Sequence, residues 1–198
     1  MRKIQLLCLT FALCLCIWAC GQKEEEGRAE NKAAAESGVG DSADIGDPEE
    51  AKASDAVPEF SAADLEGNTV TNDIFSKADL TVVNFWATYC SPCINEMPEL
   101  SEWSEAMPDN VQIIGVVTDV PSEDSDQYAL AQQIAEKTGV NFVNLVAAEG
   151  FSTVIREIVG VPTTFFVDRD GNFVGSPVVG ADVAGYKSFV EGYLDGLE

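Results

Sequence analysis

Histidine is absent from this 198-residue chain, and basic residues are few, with 11 Lys and Arg against 34 Asp and Glu. Contacts to nucleic-acid phosphates need a basic footprint, so this composition excludes nucleic acid as a partner. A zinc site needs four nitrogen or sulfur ligands, or three and a water. Because only two cysteines follow residue 20, carboxylates would have to complete such a site. We therefore expect neither a bound metal nor another cofactor.

The chain also lacks a hydrophobic run long enough to span a bilayer. Its basic start, Met1–Lys3, precedes an apolar stretch, Ile4–Ala19, of 16 residues, whereas a spanning helix needs about 20. This pattern is typical of a secretory signal peptide. The stretch ends in "IWACG", which resembles a bacterial lipobox and makes Cys20 the lipidated residue. We therefore predict a lipoprotein signal peptide over residues 1–20 and a membrane-anchored, extracytoplasmic protein. An ordinary signal peptide and an uncleaved anchor are the alternatives.

Aromatic residues are missing between Trp18 and Phe60. Residues 21–56 are mainly Glu, Ala, Asp, Gly and Ser, a composition that cannot bury enough apolar surface to offset chain entropy. We predict an acidic flexible tether there, followed by one globular domain over residues 57–198. After residue 20 the chain holds 9 basic and 34 acidic residues, a net charge of −25 that favours solubility.

The order of strand and helix patterns predicts the fold class of the domain. A hairpin is expected around Glu66–Asn68, and helices are expected at Ser91–Ala106, Gln127–Thr138, Phe151–Ile158 and Asp182–Leu194. Tyr186 lies on the apolar face of the last of these helices, and a solvated acidic loop is expected over residues 119–126. Strands are expected at Leu80–Trp86, Val111–Thr118, Asn141–Ala147, Thr163–Asp168 and Asn172–Gly175. This order is typical of an α/β fold in which helices flank a mixed central sheet. Sites in such folds lie where a central strand passes into a helix.

Two cysteines, Cys90 and Cys93, stand at such a junction. Cys8, Cys14 and Cys16 leave with a signal peptide, so the pair has no other free thiol as a partner. A permanent disulfide across two residues closes a very small loop and stabilises little. A redox pair explains the position better, because a helix N-terminus favours the thiolate form of Cys90 and places Cys93 one turn inside. Pro92 is tolerated in a first helical turn.

The stretch "VNFWATYCSPC", the following "EMP" and the distant "VPTT" together resemble the TlpA/ResA group of the thioredoxin superfamily. That group consists of membrane-tethered extracytoplasmic thiol-disulfide oxidoreductases, and the resemblance covers Val57–Leu197. It implies a thioredoxin fold with an N-terminal hairpin and a strand/helix insertion. It also implies a cis bond before Pro162, with Cys90 as the nucleophile and Cys93 as the resolving cysteine. The residues it implies for substrate binding are Trp86, Tyr89, Ser91, Pro92, Val161 and Pro162.

The resemblance singles out Glu96 as an acidic residue beneath the cysteine pair. One helical turn separates it from Cys93, so it is either a proton acceptor for that thiol or a solvated helix glutamate. Asn84 occupies the place of a buried aspartate in cytoplasmic thioredoxins, and an amide cannot accept that proton. Trp86 is either the floor of the site or an ordinary core residue. Tyr89 replaces the tryptophan usual before the first cysteine, which could affect partner choice.

The pair Cys-Ser-Pro-Cys contains no histidine, unlike oxidants of the DsbA type, so we expect a reductant of partner disulfides. The resemblance implies re-reduction by a membrane thiol carrier of the CcdA/DsbD type. Apocytochrome c and methionine sulfoxide reductases are compatible clients. One alternative is a peroxiredoxin-like peroxidase, although Thr88 lies two residues before Cys90 and not three, as Pro-x-x-x-Thr-x-x-Cys requires. The other is a non-catalytic binding lipoprotein on the same fold.

Overall fold

The computed structural model describes residues 55–196 of the chain. The predicted signal peptide, Cys20 and all but the last two residues of the predicted tether lie outside this range. Within residues 55–196, no helix is both long and apolar enough to cross a membrane.

Within the described residues, seven strands and four α-helices follow one another in the order that the sequence patterns indicate. The strands are β1 (Ser61–Ala63), β2 (Thr69–Thr71), β3 (Leu80–Trp86), β4 (Val111–Val117), β5 (Val143–Val146), β6 (Thr163–Asp168) and β7 (Val178–Val179). The helices are α1 (Ser91–Ala106), α2 (Asp126–Thr138), α3 (Ser152–Glu157) and α4 (Val183–Asp195). Short 3₁₀ helices at Asn72–Lys77 and Glu149–Phe151 were not predicted.

A five-stranded mixed sheet with the order β5-β4-β3-β6-β7 forms the centre of the domain. β3 pairs in parallel with β4 and antiparallel with β6, while β1 and β2 form a separate hairpin. Every residue of β3 is buried, because helices or loops cover both faces of the sheet at this strand. A strand buried on both faces reads as an unbroken apolar run, and this explains "LTVVNFW".

Side chains of β3 alternate between two separate cores. Val83 and Phe85 pack with the N-terminal hairpin region and α3 on one face. Leu80 and Val82 pack with α1 and α4 on the other. This alternation places Asn84 and Trp86 on the face of α1, the helix that begins with the cysteines. The predicted α/β class, with helices flanking a mixed sheet, is confirmed.

Capping residues place the starts of α2 and α4 one residue away from the predicted Gln127 and Asp182. Ser125 precedes α2 and its hydroxyl accepts a hydrogen bond from the Tyr128 N–H, so α2 begins at Asp126. Gly139 ends α2 in the left-handed conformation, with φ of 70°. Asp182 caps α4 by accepting from the Gly185 N–H, so α4 begins at Val183.

The predicted strand at Asn172–Gly175 is wrong. Asn172 and Phe173 form only isolated bridges, to Ala56 and Val167 respectively. On the side of β6 away from β3, the antiparallel partner is instead the two-residue β7. Gly175, with φ of 68°, turns the chain away, and a proline two residues later removes a ladder donor, so the strand cannot continue through this segment.

The first described residues join the domain beside the turn that follows β6. Ala56 pairs with Asn172, and the Val57 N–H donates to the Gly171 carbonyl at 2.9 Å. The last residue of β6 is paired with Leu80, the first residue of β3. The chain therefore enters at the end of the sheet remote from Trp86 and the cysteines.

Candidate active site

The two cysteines lie where β3 passes into α1. Cys90 is the N-cap residue, Cys93 lies in the first turn, and a disulfide joins them. The Cys93 N–H donates to Cys90 Sγ at 3.2 Å. Free N–H groups and the positive end of the helix dipole meet at this point, so they favour a thiolate on Cys90 once the pair is reduced. Pro92, also in the first turn, loses no helical hydrogen bond there.

The cysteines differ in their access to solvent. Cys93 has no exposed surface, whereas Cys90 is 6% exposed. The neighbouring Tyr89, Ser91 and Pro92 are all exposed, Tyr89 by 75%. A macromolecular disulfide can therefore approach only the Cys90 side of the pair, and Cys93 can react only with Cys90 or with a disulfide that Cys90 has formed.

The segment that precedes β6 lies against the exposed cysteine. The Val161–Pro162 bond is cis, as the family resemblance implies. The Val161 carbonyl oxygen lies 3.4 Å from Cys90 Sγ. Two hydrogen bonds fix the segment, from the Gly180 N–H to the Pro162 carbonyl at 2.8 Å and from the Thr163 hydroxyl to the Gly160 carbonyl at 2.6 Å. The structure thus brings two predicted substrate-binding residues, Val161 and Pro162, to the cysteine pair.

A shallow groove of about 170 Å³ opens beside the pair. It is lined by Tyr89, Thr118, Ile155, Ile158, Val159, Gly160 and Val161. None of these residues is charged, so the groove suits an apolar segment of a partner and not a charged one. A larger cavity of about 370 Å³ lies between the β1–β2 turn, α2 and β5, and neither cysteine lines it.

Asp119 holds the turn that leads into the cysteines. Its carboxylate accepts hydrogen bonds from the Thr88 N–H at 3.0 Å and from the Thr88 hydroxyl at 2.6 Å. The sequence indicated only a solvated acidic loop at residues 119–126. The contact links the loops that follow the two parallel strands β3 and β4, so it positions Cys90 relative to both.

Glu96 lies one helical turn after Cys93, on the buried side of α1, with 6% of its surface exposed. Its Oε1 accepts from Asn84 Nδ2 at 2.9 Å, and its Oε2 lies 3.2 Å from the Tyr186 hydroxyl. Asn84 Nδ2 also donates to the Thr164 hydroxyl at 3.0 Å. The alternative of a solvated helix glutamate is therefore excluded by burial, while the role of Glu96 in proton transfer stays a prediction.

Burial is the main reason that the pKa of Glu96 rises from 4.5 to about 7. Hydrogen bonds from Asn84 and Tyr186 favour the charged form and lower the pKa, and the charge of Glu99 raises it further. A carboxyl group with a pKa near 7 exchanges its proton readily at neutral pH, which is the property required of a general acid or base.

The raised pKa of Glu96 predicts that the domain loses stability as the pH rises. The folded state binds the Glu96 proton more tightly than the unfolded chain, so this stabilisation is complete below about pH 4.5 and is lost as the pH rises through about 7. We expect a loss of about 2 kcal/mol in the free energy of unfolding, after allowance for solvent screening. Urea unfolding of the wild type and Glu96→Gln from about pH 5 to pH 8 measures it.

Glu96→Gln should abolish most of that dependence, because glutamine keeps an acceptor for Asn84 but does not ionise. Glu102→Gln, an exposed neutralisation on the same helix, is the matched control and should follow the wild type. Equal pH dependence in the wild type and Glu96→Gln would contradict the burial argument.

Trp86 is fully buried and lies below the surface that a substrate can reach. Its indole N–H donates to Asn144 Oδ1 at 2.8 Å, and its ring packs in the same core as both cysteines. Of the two roles considered for Trp86, the structure favours that of a core residue, and direct contact with substrate stays a prediction.

The sequence patterns did not identify three polar residues as members of the site: Asp119, Thr164 and Tyr186. Thr164 had a partial signal in the sequence, because it belongs to the "VPTT" stretch, and in the structure it stands directly opposite Asn84 in the β3–β6 pairing. Tyr186 was predicted only as part of the apolar face of α4, and its hydroxyl contact with Glu96 spans 90 residues of sequence. Such a contact depends on helix packing and leaves no local pattern.

Comparison with known proteins agrees with this geometry. Residues 53–175 match a family model described as the AhpC/TSA family. A thiol-disulfide oxidoreductase, ResA, from Bacillus thuringiensis is 30% identical over 159 residues, covering 75% of this chain and 80% of its own. The thioredoxin domain of a thiol-disulfide oxidoreductase from Bacteroides vulgatus is 26% identical with a TM-score of 0.54, covering 68% of this chain and 95% of its own.

A secreted disulfide oxidoreductase from Mycobacterium tuberculosis, described as homologous to E. coli DsbE, shares the same architecture. It is 26% identical with a TM-score of 0.52, covering 67% of this chain and 95% of its own. The predicted thioredoxin fold is thereby confirmed.

Proposed function

The chain belongs to the AhpC/TSA family of the thioredoxin superfamily and is a thiol-disulfide oxidoreductase of the ResA and DsbE type, and from this premise we propose that it reduces disulfides of partner proteins outside the cytoplasm. The observation that carries the proposal is the asymmetry of the pair at the start of α1. Cys90 reaches the surface beside Val161, whereas Cys93, one helical turn before Glu96 on the same helix, is fully buried.

In the first step, the Cys90 thiolate attacks one sulfur of a partner disulfide. A bond forms between Cys90 Sγ and that sulfur, the partner disulfide breaks, and the other partner sulfur leaves as a thiolate that takes a proton from solvent. The backbone of Val161 lies beside Cys90, where an extended partner segment can pair with it. The uncharged groove next to Tyr89 would receive the adjoining side chain of that partner.

In the second step, Glu96 accepts the proton of the Cys93 thiol. The Cys93 thiolate then attacks Cys90 Sγ, which forms the intramolecular disulfide and releases the partner as a second thiolate. In total, two electrons pass from the Cys90–Cys93 dithiol to the partner, and the pair is left oxidised as a disulfide. A carboxyl group with a pKa of about 7 suits this role, because it is largely ionised just above neutral pH and still binds a proton tightly.

A membrane thiol carrier of the CcdA/DsbD type would return the pair to its dithiol form. Apocytochrome c and methionine sulfoxide reductases are client classes compatible with such a reductant. Lipidation at Cys20 would keep the domain at a membrane surface. These parts of the proposal rest on the resemblance to the TlpA/ResA group and on the N-terminal sequence pattern.

The direction of electron transfer is tested by redox titration of the Cys90–Cys93 pair. We expect a thioredoxin-like potential of about −270 mV, because no histidine stabilises the reduced thiolate between the cysteines. Equilibration of the purified domain in buffers of graded dithiol and disulfide, followed by thiol alkylation, gives the value. A potential near −120 mV, typical of DsbA, would make the protein an oxidant and overturn this part of the proposal.

The family match also keeps a peroxidase as a second candidate. Against it, Thr88 lies two residues before Cys90, and its hydroxyl donates to Asp119 at 2.6 Å. A hydroxyl engaged in this way is turned to the carboxylate and not to a peroxide at the thiol. Consumption of hydrogen peroxide by the reduced domain, at a rate above that of a free thiol, would favour the peroxidase.

A further inference from the structure

Tyr186 is a fully buried phenol that the chemistry described so far does not use. It projects from α4 to the buried side of α1, where its hydroxyl lies 3.2 Å from Glu96 Oε2. The same hydroxyl donates to the Gly180 carbonyl at 2.8 Å and accepts from the Asp182 N–H at 3.3 Å. It thus stands between the buried carboxyl group and a turn whose residues 181 and 182 are exposed.

A phenol has one proton to donate, and here it has two acceptors within reach. When Glu96 is protonated, its carboxyl O–H can donate to the phenol oxygen while Tyr186 donates to Gly180, so every group is satisfied. When Glu96 is ionised, the carboxylate is the stronger acceptor, because charge-assisted hydrogen bonds are about twice as strong as neutral ones. The phenol proton then turns to Oε2, and the Gly180 carbonyl loses its donor.

Tyr186 keeps its own proton throughout. Burial raises the pKa of its phenol, and the charge of Glu96 raises it further. Hydrogen bonds with the Thr164 side chain and the Asp182 backbone lower the pKa of the phenol, but it stays raised. The phenol is therefore a rotating donor and not an acid that competes with Glu96.

We propose that Tyr186 is a positioning residue for Glu96. Its hydroxyl turns from Gly180 to Glu96 Oε2 when the carboxyl group gives up its proton, and this hydrogen bond lowers the pH at which Glu96 ionises. This inference rests on the proposed role of Glu96 as the proton acceptor for Cys93. It gives a role in that proton transfer to a residue on a different helix, 90 positions away in the sequence.

The other groups around Glu96 act in known directions. Asn84 from β3 donates to Oε1, and Thr164 from β6 accepts from Asn84 and cannot ionise. Glu99 on α1 raises the pKa of Glu96, but it is exposed and paired with Lys187 of α4 at 2.9 Å. The carboxylate of Asp182, at the turn before α4, accepts a hydrogen bond from the Gly185 N–H. Tyr186 is thus the group on α4 whose hydroxyl acts on Glu96 directly.

The test is Tyr186→Phe, with Tyr193→Phe as the matched control on the same helix. Loss of the hydroxyl removes a donor to the carboxylate, so the pKa of Glu96 should rise. The rate of Cys90–Cys93 closure from a preformed Cys90 mixed disulfide, measured against pH by rapid acid quench, should shift its midpoint upward by about one pH unit, a tenfold loss below that midpoint. Tyr193→Phe should leave the midpoint in place.

Two further measurements separate this inference from the proposed function. Carbon-13 NMR of glutamate-labelled domain follows the Glu96 carboxyl directly, so a raised midpoint in Tyr186→Phe is visible without turnover, and assignment uses Glu96→Gln. In Glu96→Gln/Tyr186→Phe the closure rate should match that of Glu96→Gln alone. If Glu96→Gln leaves the closure profile unchanged, the proposed role of Glu96 fails. If the Glu96 midpoint is the same in Tyr186→Phe and wild type, the positioning role of Tyr186 fails.

Discussion

Replacing Cys90 with serine is expected to lower kcat/KM for disulfide reduction by at least about 10³-fold. Cys90 is the cysteine that reaches the surface, and a serine hydroxyl does not form the anionic nucleophile at neutral pH. Cys93→Ser should instead leave the first attack intact and stop the cycle after it, because nothing then resolves the bond between Cys90 and the partner. Turnover with a protein disulfide and non-reducing electrophoresis with mass spectrometry distinguish the two variants.

The two serine variants serve as each other's matched control, since both remove the disulfide that joins residues 90 and 93. Accumulation of the partner-linked species in Cys93→Ser and its absence from Cys90→Ser would support the assigned roles. The opposite pattern would exchange them. Equal biological activity of Cys90→Ser and wild type would instead support a non-catalytic binding protein, and the proteins trapped on Cys93→Ser identify the clients.

Gly115→Ala in β4 is expected to cause a large loss of stability. A Cβ added at Gly115 would overlap Asn144 Oδ1 and would lie 3.2 Å from Trp86 Nε1, which is tighter than most real contacts of a Cβ atom. Asn144 must move, and the fully buried Trp86 indole then loses its acceptor. Overpacking and an unsatisfied buried donor together should reduce the free energy of unfolding by about 3 kcal/mol. Urea denaturation monitored by tryptophan fluorescence measures this change.

Gly192→Ala is the control for that experiment. No atom lies within 4 Å of a Cβ added there, and the residue is inside α4, so alanine should be neutral or stabilise by up to about 1 kcal/mol. If Gly115→Ala unfolds within 1 kcal/mol of the wild type, the Asn144–Trp86 contact is not an important support of the core around the cysteines.

Local pattern was sufficient for the elements that carry the cysteines. β3 and α1 have the predicted bounds, Leu80–Trp86 and Ser91–Ala106, because a continuous apolar run and an N-terminal proline are signals contained in a few residues. The cis bond before Pro162 was implied by resemblance alone, since an X–Pro bond is cis in only about 5% of cases.

Long-range contacts could not be predicted in the same way. Tyr186 was expected on the apolar face of α4, and it is buried there, but the direction of its hydroxyl depends on how α4 packs on α1. Asp119 looked like one of several acidic residues in a solvated loop, and its hydrogen bonds to Thr88 depend on the parallel pairing of β3 with β4. The predicted strand at 172–175 failed because a glycine with positive φ outweighed the apolar pattern around it.

The pairing of Ala56 with Asn172 has a consequence for immobilisation of the domain on a solid support. The seven residues of β3 separate that point from the cysteine end of the sheet, a distance of roughly 20 Å at the rise of an extended strand. A domain coupled to an electrode or a bead through residue 55 would therefore turn its dithiol outward to the solution, and its reaction with dissolved proteins would not be obstructed by the support.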